Sequence, residues 1–227
     1  MPNTLDIGAI ILAGGRATRM GGIDKGLLAF QGRPLVSHAI QRLENQTIPI
    51  GSIRINANRQ LQDYQSLGLP VLVDSHTDFA GPLAGFLAGM ENCSHTYLLS
   101  VPCDSPFFPL DLAEKMAAHL SQSQADIAVA AACDADGVVR IQPVFCLMKA
   151  TLKDHLQAFL SAGGRKIDAW TACHQVVHVL FDDPHEHGLA FRNFNTLADL
   201  QAHDSTTNVP MKLPPQARPI RADSLPS

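Results

Sequence analysis

The sequence predicts an α/β three-layer sandwich: a mostly parallel central sheet, an antiparallel strand addition, and helices on both faces. Three observations predict it. Short β-type runs alternate with helical patterns along the chain, which is the signature of a parallel sheet with crossover helices. The first run, IGAIIL (7–12), is wholly apolar and feeds directly into a glycine-rich loop. Apolar residues make up 46 % of the 227 residues and charged residues only 17 %, below the roughly 25 % usual for soluble domains. Such a chain can bury a large core.

The elements follow in order. IGAIIL is a buried first strand. PLVSHAIQRLEN (34–45) opens with proline, which suits a first helical position, and sets Leu35, Ala39 and Leu43 on one face at i, i+4 spacing. SIRINAN (52–58) and LPVLVDS (69–75) alternate as second and third strands. GPLAGFLAGMENC (81–93) is a small-residue helix suited to close packing on a sheet, and TYLLSVPCD (96–104) is a fourth strand ending in an aspartate. PLDLAEKMAAHLSQ (109–122) is an amphipathic helix, with Asp111 as its expected cap. Residues 125–150 read as two antiparallel strands around an Asp136-Gly137 turn. Helices near 151–162 and 165–173, a strand VVHVLF (176–181) and a short helix at 197–203 complete the pattern. The result is Rossmann-like: one domain over 1–204, then a proline-rich stretch without periodicity (205–227) that reads as a disordered tail.

Composition excludes several classes of function. The net charge of -4 gives no general attraction for nucleic acid, so any bound anion needs a local cluster of charge. The five cysteines are scattered and form no CxxC pair, which argues against a disulfide framework or a zinc site. No stretch approaches the roughly 18 apolar residues of a membrane span, and the N-terminus does not read as a signal peptide. A cytoplasmic protein is the expectation.

The stretch LAGGRATRMGGIDKG (12–26) carries the chemistry. Glycines between a strand and a helix expose backbone N–H groups and admit a close anion. Arg16, Arg19 and Lys25 add three cations, a set suited to a triphosphate. The dinucleotide fingerprint GxGxxG is absent, and the pattern GxxxxGK[ST] fails because Lys25 follows Asp24 with no Ser or Thr after it.

A third template fits. LAGGxxxRMGGxDK resembles the nucleotidyltransferases that join a nucleotide to an acceptor phosphate and release pyrophosphate. With NANR (56–59), Asp74, GPLAG (81–85), PCDSP (102–106) and NFNT (193–196), the chain resembles the molybdenum cofactor guanylyltransferases from residue 7 to about 203. The resemblance implies a GTP half over about 1–110 and a molybdopterin half over about 111–204. It implies transfer of GMP from GTP to the terminal phosphate of molybdenum-molybdopterin, with Mg²⁺ as cofactor. As further partners it suggests molybdopterin-loading enzymes and the chaperones of recipient molybdoenzymes.

The same resemblance places GTP against Leu12, Ala13, Gly14 and Gly15, with Arg19 and Lys25 neutralising the triphosphate and the departing pyrophosphate. Asn56 and Asp74 match positions that contact GTP, and Pro82 with Leu83 would wall the base. A carboxylate suits guanine, whose N1–H and exocyclic amine are adjacent donors; whether Asp74 reads base or ribose stays open. Asp104 would hold the metal, since Mg²⁺ takes few protein carboxylates and completes its shell with phosphate and water. Gln142 with Pro143, Arg165 and Lys166 of GGRK, and Asn193 and Asn195 of NFNT are the candidates for molybdopterin. The alternatives are a molybdenum cofactor cytidylyltransferase, a sugar-phosphate nucleotidyltransferase, and a non-catalytic nucleotide- or cofactor-binding module. Cys103 and Trp170 read as packing residues, Phe107 and Phe108 as core or rim. HEH (185–187) reads as a solvated loop, and His174 and His178 as solvent-edge residues.

Overall fold

The structure is a computed structural model and describes residues 5–13, 24–75, 81–133, 136–182, 190–194 and 199. A sheet of seven strands organises it: β1 (Ile7–Leu12), β4 (Ser52–Asn56), β5 (Val71–Leu72), β6 (Tyr97–Pro102), β7 (Ile127–Cys133), β8 (Val139–Lys149) and β9 (Val176–Phe181), in the order β5-β4-β1-β6-β8-β7-β9. The four strands β5, β4, β1 and β6 run parallel. β8 pairs antiparallel with both β6 and β7, while β7 pairs parallel with β9. The expected antiparallel addition is therefore an interior strand inserted between two others. Gly137 sits at φ 79 in the turn before β8, the left-handed conformation glycine supplies.

The strands alternate their side chains between two helical layers. Ile7, Ala9 and Ile11 of β1 face a core built with α1 (Leu35–Glu44), α2 (Leu61–Gln65) and α4 (Leu112–Ser123). Ile10 faces the other, built with α3 (Pro82–Glu91), α5 (Lys153–Ser161) and α6 (Ile167–Thr171). Leu35, Ala39 and Leu43 are all buried, as their spacing predicts, and Trp170 and Phe108 are core residues. In α3, a Cβ on Gly89 would stand 2.8 Å from Leu98 and 2.9 Å from Ile10, so the helix backbone itself lies on the sheet.

Local details differ from the sequence reading. Pro34 belongs to a two-stranded hairpin, β2 (Ala29–Phe30) with β3 (Arg33–Pro34), and α1 starts one residue later. Gln31 and Gly32 turn that hairpin with positive φ. The hairpin and α2 were not expected, because both are too short to show a period. Asp111 does occupy the cap position of α4 but makes no capping hydrogen bond; its carboxylate pairs with Lys115 at 2.9 Å. His178 is exposed, whereas the His174 ring packs 5.2 Å from Trp170. The segment 185–187, the helix expected at 197–203 apart from Asp199, and the tail over 205–227 lie outside the described residues.

At the end of the sheet where the parallel strands begin, Asp6, His95 and Ser52 form a chain of hydrogen bonds at 2.6 and 2.9 Å. Gly8 and Gly51 leave the space the His95 ring fills. The order mimics a hydrolytic triad, but Arg54 donates to the Ser52 oxygen at 2.7 Å and draws electron density from it. The chain acts as a pin joining the starts of β1, β4 and β6.

Candidate active site

The parallel strands end in one line across the sheet: Leu72 beside Asn56, Asn56 beside Leu12, and Leu12 beside Pro102. Ligands of open α/β sheets gather at that end. Hydrogen bonds carry the line one residue further, from Ala13 N–H to Asn56 C=O at 2.8 Å and from Cys103 N–H to Leu12 C=O at 3.1 Å. The register thus delivers Asn56, Asp74, Ala13 and Asp104 to a single edge, although they are distant in sequence.

On one side of this edge the buried Asn56 donates through Nδ2 to Asp74 Oδ1 at 2.9 Å. Asn58 donates to the other carboxylate oxygen at 2.7 Å and accepts from the Asp74 backbone N–H at 2.9 Å. Each oxygen of Asp74 so carries one donor and keeps a second lone pair for a ligand. Asn56 in turn lies against α3: a Cβ on Gly85 would approach its Oδ1 to 2.6 Å and Leu12 Cδ2 to 2.7 Å. Gly85→Ala is therefore expected to displace Asn56 from Asp74. Overpacking of this kind costs roughly 1–3 kcal/mol of stability, so the variant should melt about 2–12 °C below the parent. Thermal denaturation of the variant measures this; an unchanged melting temperature would mean that Asn56 and Leu12 give way without cost. Pro82 is exposed at the first turn of α3, but Leu83 is buried in the core and does not wall the edge.

On the other side Lys25 stands 3.8 Å from Asp104, with the two side chains 37 % and 17 % exposed. Burial raises the Asp104 carboxyl above its ordinary value, and the nearby Lys25 charge only partly opposes it. Such a carboxylate at a strand end fits a hard divalent cation, which would supply the charge that burial leaves uncompensated. Among the described residues no three His, Cys, Asp or Glu side chains converge on a metal position. One carboxylate supplemented by phosphate and water is a donor set that suits a hard divalent cation. Cys103 is buried, and burial, with Asp104 and Asp24 adding to it, holds its thiol well above the usual value; it is a packing residue.

The second half contributes unevenly. Asn193 accepts from the buried Ser105 hydroxyl at 2.6 Å, and Phe194 N–H donates to Asp104 C=O at 2.8 Å. The segment 193–194 thereby holds the loop that carries Asp104. Phe194 is buried with Leu28, Phe30 and Leu35 of the hairpin region, which joins this strap to the segment after Lys25. Gln142 pairs with Ala130 just past a bulge in which β7 advances one residue while β8 advances from Cys146 to Gln142. Ser100 donates to Val144 C=O inside that bulge, next to the end of β6. Bulges re-aim side chains beside functional sites.

Arg165 and Lys166 are exposed, and their setting has a structural reason. Gly163, at φ 91, ends α5, and a Cβ on Gly164 would meet the Phe159 ring at 2.2 Å. Arg165 donates to Leu160 C=O at 2.8 Å, a carbonyl at the end of α5. The two glycines terminate a helix, so their presence is not a sign of a phosphate grip. Gly14, Gly15, Arg16, Arg19 and Asn195 lie outside the described residues.

Sequence reasoning did not single out Asp24, Asn58, Gln60, Tyr64 or Ser105. Asp24 and Asn58 lie inside the quoted motifs, but only contacts made across the fold give them a role.

Residues 9–183 match the family model described as a MobA-like NTP transferase domain. The molybdenum cofactor guanylyltransferase of Ralstonia nicotianae is 52 % identical over 202 residues, covering 87 % of this chain and 96 % of its own. That of Bordetella petrii is 53 % identical over 201 residues, covering 88 % and 98 %. Among solved structures, molybdopterin-guanine dinucleotide biosynthesis protein A from Archaeoglobus fulgidus superposes with a TM-score of 0.66 at 17 % identity, covering 87 % of this chain and 97 % of its own; it shares the fold. On the family match and on identities above half across nearly the whole length of both relatives, the chain belongs to the molybdenum cofactor guanylyltransferases, a family of nucleotidyltransferases.

Proposed function

We propose that the chain transfers GMP from GTP to the terminal phosphate of molybdenum-molybdopterin, forming the guanine dinucleotide and releasing pyrophosphate. The observation that carries this reading is the alignment of strand ends, which sets the Asn56–Asp74 pair and the Lys25–Asp104 pair along one edge. One pair offers acceptors to a base or ribose, and the other offers opposite charges to a triphosphate and its metal.

The chemistry asks little more of the protein. A phosphomonoester has a second pKa near 6, so the attacking phosphate is already ionised at neutral pH and needs no general base. One of its oxygens bonds to the α-phosphorus of GTP as the bond from that phosphorus to the β-phosphate bridging oxygen breaks, and pyrophosphate carries away the electron pair. Lys25, and Arg19 by its place in the motif, neutralise the charge that builds on the leaving group. Preorganised charge of this kind is the main lever in such transfers. Asp104 would hold a Mg²⁺ ion, which when bound screens the phosphate oxygens and helps align them. Asp74 and Asn56 fix the nucleoside end, while Asn193 and Ser105 support the loop bearing Asp104. Gln142, Arg165, Lys166 and Asn195 remain the side chains assigned to molybdopterin.

The test is turnover of molybdenum-molybdopterin with each of GTP, CTP, ATP and UTP, followed by pyrophosphate release and identification of the dinucleotide. Guanylyl transfer with GTP, dependent on added Mg²⁺, is the expected result. Turnover with CTP and not GTP would refute the assignment.

A further inference from the structure

Asp24 is a buried carboxylate, 3 % exposed, immediately before Lys25. Its backbone N–H donates to Gln60 Oε1 at 2.9 Å, a residue 36 positions away at the start of α2, and its C=O accepts from Leu27 N–H at 3.0 Å. The backbone N–H groups of Gly26 and Lys25, the Tyr64 hydroxyl and the charge of Arg59 all favour its carboxylate. None of the cap donors or the Tyr64 hydroxyl closes to an aligned hydrogen bond, so burial outweighs them and the carboxyl stays above its ordinary value. A side chain this costly to bury needs a strong reason to be placed beside a phosphate-binding lysine.

Gly26, on the other side of Lys25, is wedged. A Cβ there would stand 2.5 Å from the Tyr64 hydroxyl and 3.2 Å from Cys103 Sγ. Tyr64 belongs to α2, and Cys103 immediately precedes Asp104. Lys25 is therefore bracketed: Asp24 is tied to α2, and Gly26 is pressed between α2 and the strand end that carries the metal carboxylate. The Lys25 side chain extends from between these anchors toward Asp104.

We infer that Asp24, whose backbone is tied to Gln60 and whose buried carboxylate faces the Tyr64 hydroxyl of α2, is a positioning residue that fixes the backbone from which Lys25 reaches the reacting phosphates. The inference rests on the role assigned to Lys25 under the proposed function. It also gives α2 a purpose: the segment 56–60 runs from the Asn56–Asp74 pair at the nucleoside end to the Gln60–Asp24 bond at the phosphate end. One short stretch thereby sets both ends of the nucleotide site.

The test is a double-mutant cycle on the full chain, with Asp24→Asn, Lys25→Ala and the combination, measured as kcat/KM for guanylyl transfer. If Asp24 acts through Lys25, Asp24→Asn lowers kcat/KM by about 10-fold or more when Lys25 is present, within the range of coupled neighbours. The same change then has less than about a 2-fold effect when Lys25 is already replaced. A merely structural loss would lower both backgrounds by the same factor, and that outcome overturns the inference while leaving Lys25 its role. Full activity of Asp24→Asn alone also overturns it. Full activity of Lys25→Ala removes the Lys25 assignment and this inference with it. Should Asp24→Asn fail to fold, Tyr64→Phe and Gln60→Ala enter the same cycle, with the same non-additivity expected at about 3-fold.

Discussion

Asp104→Asn is expected to abolish metal-dependent guanylyl transfer while making the metal-free protein more stable. The two effects share one cause. Asp104 is mostly buried and burial raises its carboxyl, so the folded state penalises the charged form that the metal requires. Asparagine keeps the shape and removes the charge. Activity is expected to fall by at least about 10³-fold, the upper range for loss of one preorganised electrostatic group, and excess Mg²⁺ should not restore it. The stability gain has a definite dependence on pH. A carboxyl whose folded pKa lies above its unfolded value, near 3.8, binds its proton more tightly when folded. Its penalty is absent below that unfolded value, grows as pH rises toward the folded value, and is complete above it. The variant should therefore melt above the parent at neutral pH, by about 2–4 °C for each kcal/mol relieved in a chain of this size, and with it near pH 3.5. Thermal denaturation at both pH values, alongside the transfer assay, decides the matter. A variant that melts lower than the parent at pH 7 would refute the electrostatic account, and retained activity would refute the metal assignment.

Lys25→Ala should also remove about 10²–10³ of the transfer rate, yet move stability the other way. Its ammonium is the cation that opposes the burial of Asp104. Without it the carboxylate loses a favourable neighbour, and the melting temperature should fall slightly. The shift is kept small because the lysine side chain is 37 % exposed and solvent screens the pair. Lys25→Arg separates charge from placement: it keeps the cation, but a planar fork replaces a point charge. Recovery of stability with only partial recovery of rate is expected, measured by melting and by single-turnover transfer. If the alanine variant turns over at the parent rate, the phosphates are neutralised elsewhere.

Together the two variants separate what the site requires of the fold from what it requires of the reaction. Both substitutions damage catalysis, and only one damages the resting protein. A reading in which the edge merely binds nucleotide predicts the same split in stability but places the loss in affinity rather than in rate.

Much of this architecture was legible in the residues. IGAIIL is a fully apolar strand, the i, i+4 face of 35–43 is buried as expected, and the glycines of GPLAGFLAG do bring α3 onto the sheet. Asp104 at the end of TYLLSVPCD and Asn56 at the end of β4 were recognisable because strand ends and polar residues are local features. Leu83, by contrast, was read as lining the base and proved to be core: a residue in the first turn of a helix can face either way, and only the packing of α3 chose. The glycines of GGRK end a helix against Phe159, a role that the composition of that run does not show.

By itself the sequence determined the alternation of buried strands with helices, the charged glycine loop, and the motif set of the family, because periodicity, chain reversal and charge clustering are written over a few neighbouring residues. The tertiary structure decided what those motifs do to one another. It placed β8 inside the sheet, aligned Leu72, Asn56, Leu12 and Pro102 into one edge, held Asp74 between Asn56 and Asn58, and set Gln60, just ahead of α2, and Tyr64, within it, against the chain on either side of Lys25. Strand register and contacts between residues dozens of positions apart leave no period in the chain. They are settled only when side chains from several elements compete for the same space and the same hydrogen-bond donors.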